Sequence, residues 1–167
     1  MLIYNIILNG LNLDLRNNTY LQNLMYEVWE EYFNDIPRKN FVITKFGKYA
    51  KRQLGCLKYA TENTKIKGLL NKYGEDIALQ DVNSISVILL TRYFMDESVP
   101  EFLLVSTLSH EISHYAHGFH SPLPRKYRYP HRGGVVEKEM QNRGLEDILD
   151  KSEVWLKENW LDVIRKY

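Results

Sequence analysis

Residues 102–108 read Phe-Leu-Leu-Val-Ser-Thr-Leu, an apolar run long enough to be a buried helix, and through Ser109 it leads into His110-Glu111-Ile112-Ser113-His114. This junction constrains the chain more than any other stretch. Imidazole and carboxylate groups are costly to bury without partners, so a helix that carries three of them into a core must supply partners of its own. Residues four apart lie one above the other on a helix. His110 and His114 therefore share one face, and Glu111 lies beside it. Pro100-Glu101 precedes the run, and Ser98-Val99-Pro100-Glu101 predicts a capping box with proline in the first turn.

Two histidines one turn apart with a glutamate between them form the H-E-x-x-H pattern. In this pattern the imidazoles hold one zinc ion and the carboxylate reaches a water at the metal's open position. The plain alternative is that these residues merely decorate a helix. The apolar setting argues against that alternative, as do the further histidines at 117, 120 and 131.

At 167 residues the chain is long enough for one domain with a substantial core and short for two. An apolar fraction of 44% with 13% aromatics is a globular composition. A net charge of +1 points to no particular partner. Cys56 is the single cysteine, so neither an intramolecular disulfide nor a cysteine-rich zinc finger is expected. Residues 1–5 lack a basic signal-peptide region, and no apolar run is long enough to span a bilayer. The expectation is a soluble, intracellular, cytoplasmic protein with no membrane partner.

Along the chain, residues 2–8 predict an opening strand closed by Asn9-Gly10. Leu21, Leu24, Met25, Val28, Trp29, Tyr32 and Phe33 recur on one helical face, a core stripe ended by Asn34-Asp35-Ile36-Pro37. Strands are predicted over 40–46, 53–59 and 84–91. Residues 61–83 read either as a long hairpin or as an insertion with a short helix around Leu69. Gly118 is expected to end the histidine helix in a left-handed cap, with prolines beyond it. A basic aromatic loop follows over 125–132. Gly133-Gly134 then leads into a helix near Val135, and a last helix is expected over 151–165 with Trp155, Leu156, Trp160, Leu161 and Ile164 inward.

Glu31-Tyr32-Phe33, then Phe41-Val42-Ile43-Thr44, Leu54-Gly55-Cys56-Leu57-Lys58-Tyr59, Ser86-Val87-Ile88-Leu89-Leu90, Pro100-Glu101 and the histidine motif follow one another in a recognisable order. This order resembles the SprT-like zinc metallopeptidases, the Spartan proteases among them, and the related WLM peptidases. The resemblance, over roughly residues 21–120, implies an α+β, zincin-like fold, with residues 1–167 forming a single domain. A small mixed sheet would pack on helices, with C-terminal helices after the active-site helix and a sheet edge where extended substrate pairs. It implies a Zn2+ cofactor held by His110 and His114, Glu111 as general base, and a protein or peptide substrate.

For the third ligand, the WLM arrangement of a histidine beyond a glycine selects His120. Glu137 is the alternative, followed by His131, which the SprT arrangement places before glycine, and Glu139; His117 is left a supporting or surface role. Tyr127, Arg128, Tyr129 and His131 are candidates to stabilise an oxyanion. Spartan proteases act on proteins crosslinked to DNA, so the loop over residues 125–132 is a candidate DNA contact, against the simpler reading of a solvated loop. The competing function is a nucleic-acid-binding protein whose zinc is structural, enclosed by His110, His114, His120 and Glu137.

Overall fold

The computed structural model describes residues 16–61 and 84–167, and within these the chain is α+β: four α-helices and a three-stranded mixed sheet. The predicted opening strand and all of the 61–83 segment but Thr61 lie outside the described residues. Helix α1 (Asn18–Tyr32) starts where the Asn17 side chain accepts a hydrogen bond from the Tyr20 N–H at 2.9 Å. Its stripe of Leu21, Leu24, Met25, Val28 and Trp29 is buried, as the helical period requires.

Strands β1 (Val42–Phe46), β2 (Gly55–Tyr59) and β3 (Ser86–Leu90) form a sheet of order β1-β3-β2. β3 runs parallel to β1, with Ile43 opposite Val87, and antiparallel to β2, with Leu57 opposite Ile88. Both faces of β3 are covered, which explains its uninterrupted apolar sequence. Ile88 and Leu90 join the helical core, while Ile85 and Val87 pack with Ile43 and Ala60 on the opposite face.

The two sheet edges are treated differently. The buried Gln22 side chain pairs with β1 as a strand would, donating to the Val42 carbonyl at 3.0 Å and accepting from the Thr44 N–H at 2.7 Å. Asn18 accepts from the Phe46 N–H farther along. That edge is closed. On β2, the Thr91 N–H bonds the Leu54 carbonyl and the Ala60 N–H bonds the Ile85 carbonyl. By the alternation of an antiparallel ladder, Gly55, Leu57 and Tyr59 then turn their backbone groups away from β3.

Helix α2 (Glu101–Ala116) carries the histidine motif and packs against β2, β3, α1, α3 (Val135–Asn142) and α4 (Glu146–Arg165). It is buried on nearly every side, its serines at 106, 109 and 113 and Thr107 included. Its start differs from the expected capping box. Pro100 occupies the cap position without a side-chain bond, and the Ser98 hydroxyl turns back to Asp96 Oδ1 at 2.5 Å. At the other end, Tyr115 donates to Asn40 Oδ1 at 2.8 Å and sets its ring edge-on to Trp29, fixing α2 to α1 and to the approach to β1.

Helix α4 begins at Glu146, five residues before the expected start at Lys151. Glu146 and Asp147 sit in its first turn, where acidic groups favour the helix dipole. Leu149, Ser152, Leu156, Trp160 and Val163 share its inner side. Leu161 was expected inward but is 64% exposed, because it lies well round the helix from that row. Among the described residues, no helix is long and apolar enough to cross a membrane.

Candidate metal centre

The helical spacing of α2 brings His110 Nε2 and His114 Nε2 to 3.2 Å. Two neutral imidazoles can share a hydrogen bond at that distance, and two ligands of one tetrahedral zinc stand about 3.3 Å apart when each metal bond is about 2.0–2.1 Å. A third imidazole converging on the pair favours the metal. His131 stacks on His110 with ring centres 5.4 Å apart and stands edge-on to His114 at 4.6 Å. The candidate ligand atoms of His110, His114 and His131 all lie within 4.8 Å of one another. These three histidines can hold a metal ion.

His131 reaches the helix by way of a loop whose course is set turn by turn. Gly118 has φ +80°, and a Cβ there would collide with Pro124 O and lie 2.7 Å from Arg125 Cα, so only glycine fits. The chain is then fastened back to α2. The Phe119 N–H bonds the His114 carbonyl at 3.0 Å, the Ser121 hydroxyl bonds the Tyr115 carbonyl at 2.7 Å, and the Lys126 N–H bonds the His117 carbonyl at 3.0 Å. Gly134, with φ +66°, turns the loop into α3.

The fully buried His117 then meets Glu139 of α3, Nε2 to Oε2 at 3.0 Å. Glu139 also accepts from Arg143 Nε at 2.9 Å. Arg143 in turn donates to Asp35 at 2.6 Å and to the Tyr32 carbonyl at 2.7 Å. Burial pushes the Glu139 carboxyl up, but the bonds from His117 and Arg143 outweigh it and hold it below the usual range. Glu139 is thus committed to a structural chain, and His117 is a buried partner of that chain.

The expected third ligand, His120, is not in the cluster, whose third place is taken by His131. The reason is its backbone. His120 adopts φ +45°, its carbonyl accepts a 2.7 Å bond from the Ser86 hydroxyl of β3, and its ring packs edge-on to Tyr59 of β2. The residue is held toward the sheet, and it lines the same cleft as the cluster. Glu137, the alternative ligand, is exposed at the start of α3 and also stands outside the cluster. The enclosed set of His110, His114, His120 and Glu137 is therefore not assembled.

Burial sets the electrostatics. It pushes the Glu111 carboxyl up to about 8, against an opposing hydrogen bond from the Leu57 backbone N–H. Burial is also the main cause that lowers His110, and with His110 and His131 nearby it holds His114 down at about 3. Both motif imidazoles are therefore neutral at physiological pH, the form that binds metal. His114 Nδ1 is buried without a hydrogen-bond partner.

These groups line one cleft of about 510 Å³ between β2, α2, α4 and the loop bearing His131. Gly55 allows β2 to approach α2 this closely. A Cβ at residue 55 would stand 2.7 Å from Thr107 Cγ2 and 2.8 Å from Glu111 Oε1. Sequence reasoning had no hold on that contact, nor on the bond from His117 to Glu139. For His131 a signal existed, in the glycines that follow it. No protein-family model, curated protein or solved structure matches the chain.

Proposed function

We propose that this chain is a zinc-dependent metallopeptidase in which His110, His114 and His131 hold the metal and Glu111 is the general base. The observation that carries this reading is the convergence of three imidazoles in a cleft that also contains a buried carboxyl on the same helix. Imidazole nitrogen donors suit zinc, and three of them leave a fourth position free, the pattern of catalytic rather than structural sites. Zinc bound there would supply Lewis acidity, drawing the pKa of a water toward neutrality and polarising a peptide carbonyl.

Glu111 supplies the proton transfers. Its carboxylate takes a proton from the attacking water and returns it to the departing amine. The Leu57 N–H bonds it, and a cation bound beside it would favour the carboxylate form that accepts a proton. An extended peptide can lie along β2, which is the outer strand of the sheet among the described residues, where the outward backbone groups of Gly55 and Tyr59 offer pairing on either side of Leu57. His131 serves as a ligand in this scheme. Tyr127 is packed edge-on against His117, which leaves Tyr129 as the more exposed tyrosine of the loop, 45% accessible.

Tyr129 also supports contact with DNA-associated substrates. The guanidinium groups of Arg128 and Arg132 lie 5.4 and 5.7 Å from its ring, a cationic aromatic surface suited to phosphate and an unstacked base.

The decisive experiment compares wild type with Glu111→Gln on an unstructured protein such as casein, with and without single-stranded DNA. Glutamine keeps the side chain's shape but cannot accept the proton. Zinc content should be unchanged, and the rate should fall about a hundredfold to ten-thousandfold. Equal rates would exclude Glu111 as the base. Stimulation by DNA that weakens with salt would identify phosphate contacts. Zinc retention together with no cleavage by wild type would favour the structural-zinc reading.

A further inference from the structure

The cleft extends beyond the groups needed for hydrolysis. On α2, His110, Ser106 and Leu103 follow one another on the same side, and seven residues of helix carry that row about 10 Å away from His110. Across from them, Leu149, Ser152 and Leu156 of α4 line the same cleft at i, i+3 and i+7. α2 and α4 pack together, and the two small residues, Ser106 and Ser152, occur where leucines would fill the space between them. The Ser152 hydroxyl is already bonded to the Ile148 carbonyl at 2.7 Å and presents no free donor. Of the charged side chains lining the cleft, Glu111 lies at the catalytic end, and Arg52 lies on the approach to β2, next to Lys51, whose carbonyl accepts a bond from Trp160 of α4 at 2.9 Å.

We infer that this part of the cleft is a specificity subsite for a large apolar side chain of the substrate, with Ser106 and Ser152 setting its depth. The inference rests on the proposed metal centre, because the subsite is continuous with it and has meaning for a peptide held there. An apolar side chain entering between the two helices leaves water for a leucine-lined space. A lysine would lose its hydration there, where the described lining between the two helices offers leucines and serine hydroxyls and no carboxylate. The substrate class is thus a peptide with a leucine-like or phenylalanine-like residue close to the cleaved bond.

The test uses zinc-loaded protein and straight-chain hydroxamates, from acetohydroxamate to octanohydroxamate, with binding read by calorimetry. Each methylene that reaches the subsite should tighten binding by up to about fourfold, giving at least a tenfold gain across the series. Ser152→Leu and, separately, Ser106→Leu should bring the plateau to shorter chains while zinc content and circular dichroism stay as in wild type. Two independent variants guard against a single misfolded one. Affinity that does not depend on chain length, or a plateau that neither leucine variant moves, would overturn the subsite. A peptide panel varying one residue between leucine, phenylalanine, lysine and aspartate completes the experiment. Chain-length dependence with no cleavage of any peptide would leave the subsite standing and sink the peptidase reading instead. Cleavage indifferent to the varied residue would overturn the subsite alone.

Discussion

His117 Nε2 lies 3.0 Å from Glu139 Oε2, and this contact joins the two ends of the loop that carries His131. His117 caps α2 at the start of the loop, and Glu139 sits just over one turn into α3 at its end. Neither residue belongs to the histidine cluster, yet both determine where the third imidazole stands. Glu139→Ala should therefore weaken zinc binding about 10- to 100-fold, the scale of residues that support ligands from behind. Glu139→Gln keeps a hydrogen-bonding oxygen and should lose less. Competition with a chromogenic chelator measures both, and unaltered affinity in the alanine variant would show that the loop holds its course without this tie.

His131 and His120 are separable by the same assay. His131→Ala should lower zinc affinity by orders of magnitude, because it removes one of the three proposed ligands. His120→Ala should leave roughly one zinc per chain in place, since that ring rests on Tyr59. The opposite ranking would place the metal differently from the cluster found here.

Gly55 predicts a steric effect at Glu111, the proposed base. Alanine there meets Thr107 Cγ2 at 2.7 Å and Glu111 Oε1 at 2.8 Å. Thr107 is β-branched and stiff within a helix, so the strain falls on Glu111 or on the packing of β2 against α2. Gly55→Ala should cost about 1–3 kcal/mol and reduce cleavage more than it reduces zinc binding. Gly47→Ala is the control, because its nearest neighbour would be 3.7 Å away. Denaturant midpoints and single-turnover rates for the two variants should diverge.

Asp96 predicts an acid limb of stability. Burial raises its carboxyl, but hydrogen bonds from the Ser98 hydroxyl and backbone and from Lys166 prevail and hold it at about 2, below its ordinary 3.8. A depressed folded-state value means that the contribution is present above pH 3.8 and is lost as pH falls toward 2. Wild type should exceed Asp96→Asn in urea resistance at about pH 5, with the gap narrowing toward about pH 2.5. A gap independent of pH would show that the asparagine acts through packing and not through charge.

Several parts of this protein were legible without coordinates, and for one reason: they are local. The stripe on α1 follows from the helical period of Leu21 to Trp29, and the apolar β3 follows from burial on both faces. The pairing of His110 with His114 needs only four residues of helix. Gly118 announced the end of α2 because its left-handed turn is a property of a single residue. Where local preference met a longer-range competitor, it gave way. Ser98 had the spacing of a cap, but Asp96, already engaged by Lys166, holds its hydroxyl instead.

Which histidine joins His110 and His114 was decided by tertiary structure alone. His120 and His131 both follow α2, carry the same ring and stand near glycines, so spacing could not tell which of them comes to stand beside His110 and His114. Ser86 holds the His120 carbonyl at the sheet, whereas the contacts from His117 to Glu139 and from Glu139 to Arg143 bring the loop's far end back over α2. Those partners lie 34 residues before His120 and 22 residues beyond His117. A chain's local preferences can specify a helix and the ligands it carries, but a loop follows the contacts made by its ends, and those exist only once β3, α2 and α3 have packed together.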